Sequence, residues 1–564
     1  MRKSWLLFAI GWLLILGGSG LASAIQTSGG VKVEDVRFPG TGGVIVSGLL
    51  YTPPTATVAK PAPGILAVHG YINSRETQSA FAIEFARRGY VVLALDQTGH
   101  GYSGGAAFSN GFGGPDGLKY LRGLPTVDKA NIGLEGHSMG GWTVLAAAAA
   151  MPDAYRAVVL EGSSTGPPFA MDGTPAWPRN TALVFSRYDE FAKLMWGVPR
   201  AIDVGTSAKA KALFGTDQSI ETDRLYGDIA AGTARRLYRP ATTHPGDHLS
   251  TEAVGASLDW FARTLSGGTP RPAGDQIWMW KEAGTGLALV GFVVLLLGTF
   301  AVLLDMPAFA TLRGAPAASV ERRTGRWRLT LALTALVPVL TYFPAFILVT
   351  LLLPPSPVLP QTVSNQILVW MAINAAITLL LGLFERKAAR DPGRPPWSGV
   401  LVALVVVGVG YGALLLVDAL FTVDFRFWVL ALKLPSPHQA VIALIYVLPF
   451  TLFFLVAFAT LHRRLAVQGD GAPRQYGAAI VAMAGGFLLF LLLDYGVFFA
   501  TGRLPTDFDP LSTVIAIQFL PLLAAAAIVS TFTWRRTGSV VPGAVICGLV
   551  VTWYVVAGTA TQIA

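Results

Sequence analysis

The second half of the chain is dominated by apolar runs that are each long enough to cross a bilayer as a helix. Such a helix needs about 20 apolar residues, and it satisfies its own backbone hydrogen bonds in lipid. The runs lie near residues 284–304, 329–353, 365–384, 398–421, 439–461, 476–500, 511–532 and 539–560. The chain of 564 residues is 53% hydrophobic and only 13% charged, which excludes a purely soluble protein. We therefore predict an all-α transmembrane domain of about eight helices over residues 284–564.

The first residues have the three parts of a secretory signal. A basic N-terminus precedes an apolar run from Trp5 to Leu16, and Ala-Ser-Ala at 22–24 is typical of a cleavage site. The apolar stretch continues weakly to Leu21, so an uncleaved helix is an equal alternative. Residues 1–24 are thus a signal peptide or an N-terminal transmembrane anchor. Either of them exports the segment that follows.

Basic residues between the apolar runs predict the side of the membrane on which each loop lies, because Lys and Arg are retained in the cytoplasm. The first, third, fifth and seventh loops carry Arg313, Arg322, Arg323, Arg326, Arg386, Lys387, Arg390, Arg394, Arg463, Arg464, Arg474, Arg535 and Arg536. The loops between them carry only Arg426, Lys433 and Arg503. This alternation predicts a multi-pass protein of the cell membrane, with residues 30–268 and the C-terminus outside the cytoplasm. It also attributes the net charge of +9 to membrane topology rather than to a nucleic-acid partner.

Residues 30–268 have a different pattern, in which short apolar strands alternate with helical segments. The predicted strands are 43–51, 65–69, 91–96, 132–135, 157–161, 182–186 and 236–239, after an alternating segment at 31–37 that is typical of an antiparallel edge. Continuously apolar strands are expected where helices cover both faces of a mostly parallel sheet. The sequence therefore predicts a doubly wound α/β domain. Gly and Pro residues at 266–272 mark its end, and 269–283 is the predicted linker.

One serine lies between a predicted strand and a predicted helix, in the sequence Gly136-His-Ser-Met-Gly140. A serine in such a corner takes a strained backbone conformation, which holds its oxygen above the edge of the sheet. The flanking glycines have no side chains to block the close approach of neighbouring elements. Ser138 is therefore the candidate nucleophile.

A serine acts as a nucleophile at neutral pH when a base accepts its proton and a further group orients that base. Asp189 follows the penultimate predicted strand, and His244 follows the last one. His248 is the alternative base, although it lies close to the start of the final helix. Glu190 is a weaker candidate than Asp189 because it lies one residue further into the loop. The predicted catalytic residues are thus Ser138, Asp189 and His244.

Attack of a serine on a carbonyl creates an oxyanion, which backbone N–H groups have to stabilise. One donor is the residue after the nucleophile, Met139, and a second comes from the loop after the strand 65–69. The amide of Tyr71 is the candidate for the second donor. We expect His69 to brace this loop rather than to react.

The segment 30–265 resembles the α/β-hydrolase family. The resemblance rests on His69-Gly70 with Asn73, the run from Asp96 to Ser103, the run from Gly136 to Gly141, Asp189 and His244. It implies transfer of an acyl group to water through a serine ester intermediate, with acid and base following the serine in this order. His100 and Ser103 would then shape a loop and not react.

The predicted function is that of a membrane-bound serine hydrolase that cleaves a small-molecule or lipid ester, with membrane lipids as its surroundings. A serine peptidase is less favoured because the site would face the outer leaflet. The apolar half resembles no family, and eight helices are many for an anchor, so the alternative is a transport or scaffold protein with an accessory or sensory hydrolase domain. The only cysteine, Cys547, excludes a cysteine metal cluster, and neither a cofactor nor a metal site is predicted. The sequence carries no signal for an oligomeric state.

Overall fold

The computed structural model describes residues 2–316, 320–383 and 396–563. A first helix is followed by a nine-stranded sheet in the order β1-β2-β4-β3-β5-β6-β7-β9-β8. The strands are β1 Lys32–Pro39, β2 Ile45–Thr52, β3 Ala62–Val68, β4 Val91–Leu95, β5 Val127–His137, β6 Ala157–Glu161, β7 Thr181–Val184, β8 Leu225–Tyr226 and β9 Arg235–Tyr238. Strands β3, β4, β5, β6, β7 and β9 pair in parallel, and β1, β2 and β8 add antiparallel edges. The predicted mostly parallel sheet is confirmed.

Helices cover both faces of this sheet. The first helix of the chain and those around the sheet are α1 Arg2–Gln26, α2 Ser79–Arg87, α3 Gly114–Gly123, α4 Met139–Ala150, α5 Ala192–Trp196, α6 Ala208–Phe214 and α7 Thr251–Thr264. Successive strand residues point to opposite faces, so Ile65 packs in one buried apolar cluster with Phe261, while Leu66 packs in the other with Val144. Both faces of the sheet are buried, and for this reason the sequences of its strands are continuous apolar runs.

The rest of the chain is a helical domain. Its helices are α8 Trp278–Asp305, α9 Gly325–Leu340, α10 Tyr342–Leu352, α11 Thr362–Leu383, α12 Pro396–Phe421, α13 Pro437–Thr460, α14 Ala472–Thr501, α15 Pro510–Thr537 and α16 Val541–Gly558. Within the described residues, nine helical segments are long and apolar enough to cross a membrane, if α1 is included and α9 with α10 counts as one. This is compatible with a multi-pass membrane protein. The predicted loop cations Arg386, Lys387, Arg390 and Arg394 lie outside the described residues.

The apolar run predicted at 329–353 forms two helices instead of one. Helix α9 ends at Leu340 and α10 begins at Tyr342. Pro344 has no N–H group to donate to the carbonyl of Leu340, and its ring conflicts with that carbonyl, so the helical hydrogen-bond ladder is interrupted here. The presence of Pro344 in this run could have predicted the break from the sequence.

Helices α1 and α8 pack against each other through small residues. A Cβ added to Gly284 would lie 2.6 Å from the carbonyl oxygen of Gly18, and one added to Gly291 would lie 2.8 Å from the backbone nitrogen of Ile15. Glycines at such positions let two helix backbones approach closely, which is the usual way in which apolar helices associate. Helix α1 is therefore an integral part of the helical domain in this structure.

A short hairpin between α12 and α13 joins the two domains. It consists of β10 Phe425–Phe427 and β11 Leu430–Leu432, paired antiparallel. The Arg426 guanidinium is buried, donates to Thr77 Oγ1 at 2.8 Å and lies against Asp424, at 2.6 Å. At the tip, the indole N–H of Trp428 donates to the carbonyl of Pro245 at 2.6 Å. The hairpin thus binds the loop that carries His244 directly to the helical domain.

Candidate active site

Ser138 lies in the corner between β5 and α4. Strand β5 ends at His137 and α4 begins at Met139, so Ser138 alone makes the turn, with φ of 56° and ψ of −122°. This positive φ is uncommon for a residue with a side chain and is typical of residues held by a functional constraint. The turn is possible because a Cβ at Gly136 would collide with the carbonyl of Gly140. The amide of Ser138 donates to the carbonyl of Glu161 at 2.8 Å, which anchors the corner to the next strand.

Asp189 and His244 meet beyond the ends of β7 and β9. His244 Nδ1 lies 2.8 Å from Asp189 Oδ2, and Asp189 Oδ1 accepts from the amide of Phe191 at 2.8 Å. When Asp189 is ionised it only accepts, so Nδ1 is then the donor and the other ring nitrogen is left as an acceptor. Gly162 makes room for this pair, since a Cβ there would lie 2.8 Å from His244 Nδ1 at a φ of +53°.

Burial sets the protonation of this pair. His244 is 5% exposed, and burial lowers the pKa of its imidazole to about 4, against the opposing influence of Asp247. Burial also raises the pKa of Asp189 well above its ordinary value, and the nearby Asp247 adds to this effect. A neutral imidazole at neutral pH is the form that can accept a proton from a serine.

His248, the alternative base, lies close to the site but does not contact Asp189 in the way His244 does. Its ring lies 4.2 Å from the ring of His137, which in turn bonds the carbonyl of His244 through Nε2 at 3.0 Å. Neither ring nitrogen of His248 has a hydrogen-bond partner in the part of the chain that the structure describes. Burial lowers the pKa of His248 well below its ordinary value.

Glu190, the weaker acid candidate, holds the backbone of the histidine. Its Oε2 accepts from the amide of His244 at 2.8 Å, and its Oε1 accepts from the hydroxyl of Tyr495 at 2.7 Å. Tyr495 belongs to α14, so a residue of the helical domain is hydrogen-bonded to the loop that carries the base. Burial raises the pKa of Glu190 to about 8, with Asp189 as a second cause.

The loop after β3 lies directly against the serine. A Cβ at Gly70 would be 3.0 Å from the Cβ of Ser138, and both Tyr71 and Met139 line the cleft with Ser138. His69 is fully buried and accepts from the amide of Gln97 at 3.2 Å, so it braces this loop, as expected from the sequence. The hydroxyl of Tyr71 accepts a hydrogen bond from the Gln562 side chain at 2.6 Å.

The cleft over Ser138 has walls from both domains. Its volume is about 240 Å³, and the α/β domain contributes Trp142, Phe169 and Phe191 beside the residues already described. The opposite wall comes from the hairpin and α15 and consists of Trp428, Val429, Leu511, Val514 and Gln518. Sequence reasoning missed this wall. The one available signal was Gln518, a polar residue inside an apolar run, whose side chain accepts from the hydroxyl of Tyr554 at 2.5 Å.

The chain is similar to several known proteins. Residues 59–196 match the family model described as serine aminopeptidase, S33. A monoacylglycerol lipase of Mycolicibacterium smegmatis is 29% identical over 214 residues, which are 36% of this chain and 68% of that protein. Two solved structures are similar at low scores. One is a dienelactone hydrolase from Anabaena variabilis, with 20% identity over 42% of this chain and 99% of that chain and a TM-score of 0.29. The other is an esterase from Pyrococcus furiosus, with 18% identity over 42% of this chain and 92% of that chain and a TM-score of 0.30.

The strand order, the serine corner and the matched family model define the sheet domain as an α/β-hydrolase. The similarity to these proteins supports an esterase-like serine hydrolase. The C-terminal apolar helices of the chain fit a membrane domain.

Proposed function

We propose that this protein is a membrane-embedded serine hydrolase that cleaves a carboxylic ester, with Ser138 as nucleophile, His244 as base and Asp189 as the residue that orients the base. The observation that carries the proposal is the 2.8 Å bond between His244 and Asp189, in a cleft that also contains Ser138 at its strained corner. Nucleophile, base and orienting acid are the minimum that acyl transfer through serine needs.

The reaction follows from these roles. Ser138 Oγ attacks the ester carbonyl while His244 Nε2 takes its proton, and the amides of Tyr71 and Met139 stabilise the oxyanion. When the tetrahedral intermediate collapses, His244 returns the proton to the departing alcohol and leaves an acylated Ser138. Water then attacks this ester by the same route, which releases the acid and restores the serine.

The proposed substrate is an ester whose acid portion is apolar, such as a fatty acid. The relative named as a monoacylglycerol lipase supports an acyl ester, and the apolar wall of the cleft supports an apolar acid portion. A peptidase is the second candidate, because the matched family model is described as an aminopeptidase. Hydrolysis of p-nitrophenyl butyrate together with no cleavage of amino-acid p-nitroanilides is the expected result.

The proposal places the α/β domain and the C-terminal end of α16 outside the cytoplasm and keeps α1 as an uncleaved anchor. The loop charges support the orientation, and the close packing of α1 on α8 supports the anchor. Intact mass of the purified protein should include residues 1–24. A reporter that is active only outside the cytoplasm should be active when it is fused after Ala564. Activity of a reporter that works only in the cytoplasm would contradict the orientation.

Labelling with a fluorophosphonate probe tests the nucleophile. Wild-type protein should be labelled and Ser138→Ala should not. Equal labelling of the two proteins, or no labelling of the wild type, would overturn the assignment of Ser138. Thr264→Ala is a suitable control, because Thr264 is on α7 and its hydroxyl donates to the carbonyl of Trp260 at 2.8 Å, away from the cleft lining.

A further inference from the structure

A second cavity lies beside the Ser138 cleft, on the side of the helical domain. The two cavities share five lining residues, Ile72, Asn73, Thr77, Val429 and Gln518, so they adjoin each other there. The second cavity, which we name the passage, is narrow, with a volume of about 60 Å³. Three of the five shared residues have polar side chains. The five shared residues therefore form a partly polar collar between the two cavities.

Beyond the collar, the walls of the passage are mostly apolar. They come from α11, α13, α15 and α16, with Ile367, Met371, Phe454, Phe519, Leu523 and Val555. Two cations, Arg426 and Lys433, also line it, and both belong to the hairpin segment that touches the α/β domain. Arg426 is held by Asp424, and the Lys433 ammonium lies 5.2 Å from the centre of the Tyr102 ring. The Arg426 charge is therefore paired, whereas the Lys433 ammonium has no hydrogen-bond partner within the described residues.

The passage adjoins a larger apolar cavity on the surface of the helical domain. Leu522, Val551 and Tyr554 line both, and the larger cavity has a volume of about 580 Å³. Its outer rim includes Leu287 and Val290 of α8, which are 41% and 56% exposed. An apolar surface of this kind faces lipid tails in a membrane.

We propose that the acyl chain of an ester bound at Ser138 runs through the passage towards the larger cavity, so that the substrates are long-chain acyl esters whose tails lie inside the helical domain. This inference rests on the proposed hydrolase function. Each methylene that moves from water into an apolar site is worth about fourfold in an equilibrium constant. A long acyl chain therefore gains from the passage, while a chain of four carbons ends near the collar and gains little.

The chemistry of the walls favours the acyl side of the ester over the alcohol side. Alcohols of membrane lipids, such as glycerol, carry hydroxyl or charged groups, and burying these among apolar side chains without partners is costly. A saturated acyl chain has no such groups. The alcohol would remain in the wider cleft above the collar, where His248 has unpartnered ring nitrogens.

Gly558 offers a graded test of the passage. It lines the passage at the end of α16, and a Cβ added there would meet no atom within 4 Å. The Cβ of Gly558→Ala therefore meets no neighbour, and the series Gly558→Ala, Gly558→Leu and Gly558→Phe adds side-chain volume at the passage in steps. Gly412→Leu is the matched control, because Gly412 of α12 also has open space around its Cβ, is exposed and lines neither cavity.

The experiment uses the full chain in lipid nanodiscs and compares kcat/KM for p-nitrophenyl palmitate, p-nitrophenyl butyrate and the reversed ester hexadecyl acetate. Wild type should favour palmitate over butyrate at least tenfold. Gly558→Phe should lower kcat/KM for the palmitate ester more than tenfold and change kcat/KM for the butyrate ester less than twofold. It should retain fluorophosphonate labelling. Gly558→Leu should fall between, and Gly412→Leu should match wild type.

Three outcomes overturn the inference. If labelling persists but the Gly558 series leaves the palmitate-to-butyrate ratio unchanged, the passage does not hold the acyl chain, while the hydrolase function stands. If hexadecyl acetate responds to Gly558→Phe as strongly as palmitate does, the passage binds the alcohol side instead. If wild type is neither labelled nor active on any of the three esters, the proposed function fails and this inference fails with it.

Discussion

The two walls of the Ser138 cleft differ in chemistry. The wall from the α/β domain carries His244, His248 and Ser138, and hydrogen bonds of 2.8 Å fix Asp189 and Glu190 behind them. The wall from the helical domain is mostly apolar, with Leu511 and Val514 of α15. In the proposed mechanism, the groups that move protons are thus on one side, and the surface that would receive an apolar chain is on the other. Variants on the first wall should change kcat, and variants on the second should change the choice of substrate.

The largest effect should come from the acid that orients the base. Asp189→Asn should lower kcat for p-nitrophenyl butyrate about 10⁴-fold, because an amide at this position favours the wrong tautomer of His244. His248→Ala is the matched control and should cost less than about tenfold, since it removes no bond to Asp189. Steady-state kinetics would measure both. A loss in His248→Ala as large as that in His244→Ala would make His248 the base.

A smaller effect is expected where α14 of the helical domain contacts Glu190, beside the proposed acid Asp189. Tyr495→Phe removes the hydroxyl that donates to Glu190 and should lower kcat about threefold to tenfold, the usual range for one buried hydrogen bond. Tyr446→Phe removes a comparable buried bond, to Asn365 at 2.6 Å, at a position that does not line the cleft. The control should lower the melting temperature without lowering kcat. Equal effects of the two variants on kcat would remove the link between α14 and the base.

The pH profile tests the burial of the first wall. His244 must be neutral to accept a proton, so kcat/KM should fall as the pH falls through its pKa of about 4. Activity at pH 6 should therefore be nearly equal to activity at pH 7.5. With an ordinary histidine pKa of about 6.5, it would be about fourfold lower. A measured acid limb near pH 6.5 would mean that water reaches His244 in the working enzyme.

The smallest effect should come from an ion pair at the edge of the two walls. Lys193 Nζ lies 3.1 Å from the Asp507 carboxylate, and the two side chains are 61% and 41% exposed. Exposed pairs contribute less than about 1 kcal/mol because water screens them. Lys193→Ala should leave kcat and the substrate preference unchanged in the same assays. A clear change in either would show that this edge controls how the walls meet.

The sequence was sufficient for the α/β half and insufficient for the shared cleft, for physical reasons. Apolar strands and a strained Gly-x-Ser-x-Gly corner are local patterns, so the sheet and the positions of Ser138, Asp189 and His244 could be predicted. Adjacent residues of a loop can point to opposite sides, so the place of Glu190 beneath the backbone of His244 could not. Trp428 and Val514 lie in apolar segments about 290 and 376 residues from the serine, where lipid-facing and cleft-facing positions look alike.

The packing of α1 on α8 has a mechanical consequence. These two helices are the points at which the chain enters and leaves the α/β domain, and they touch along their glycines. The domain is therefore held by two neighbouring tethers instead of one, and it cannot swivel freely about its attachment. The hairpin at Trp428 is a third contact between the two domains. Three separate contacts fix the orientation of the α/β domain relative to the helical domain. A single anchor would keep such a domain near the bilayer but would leave its cleft free to turn towards water.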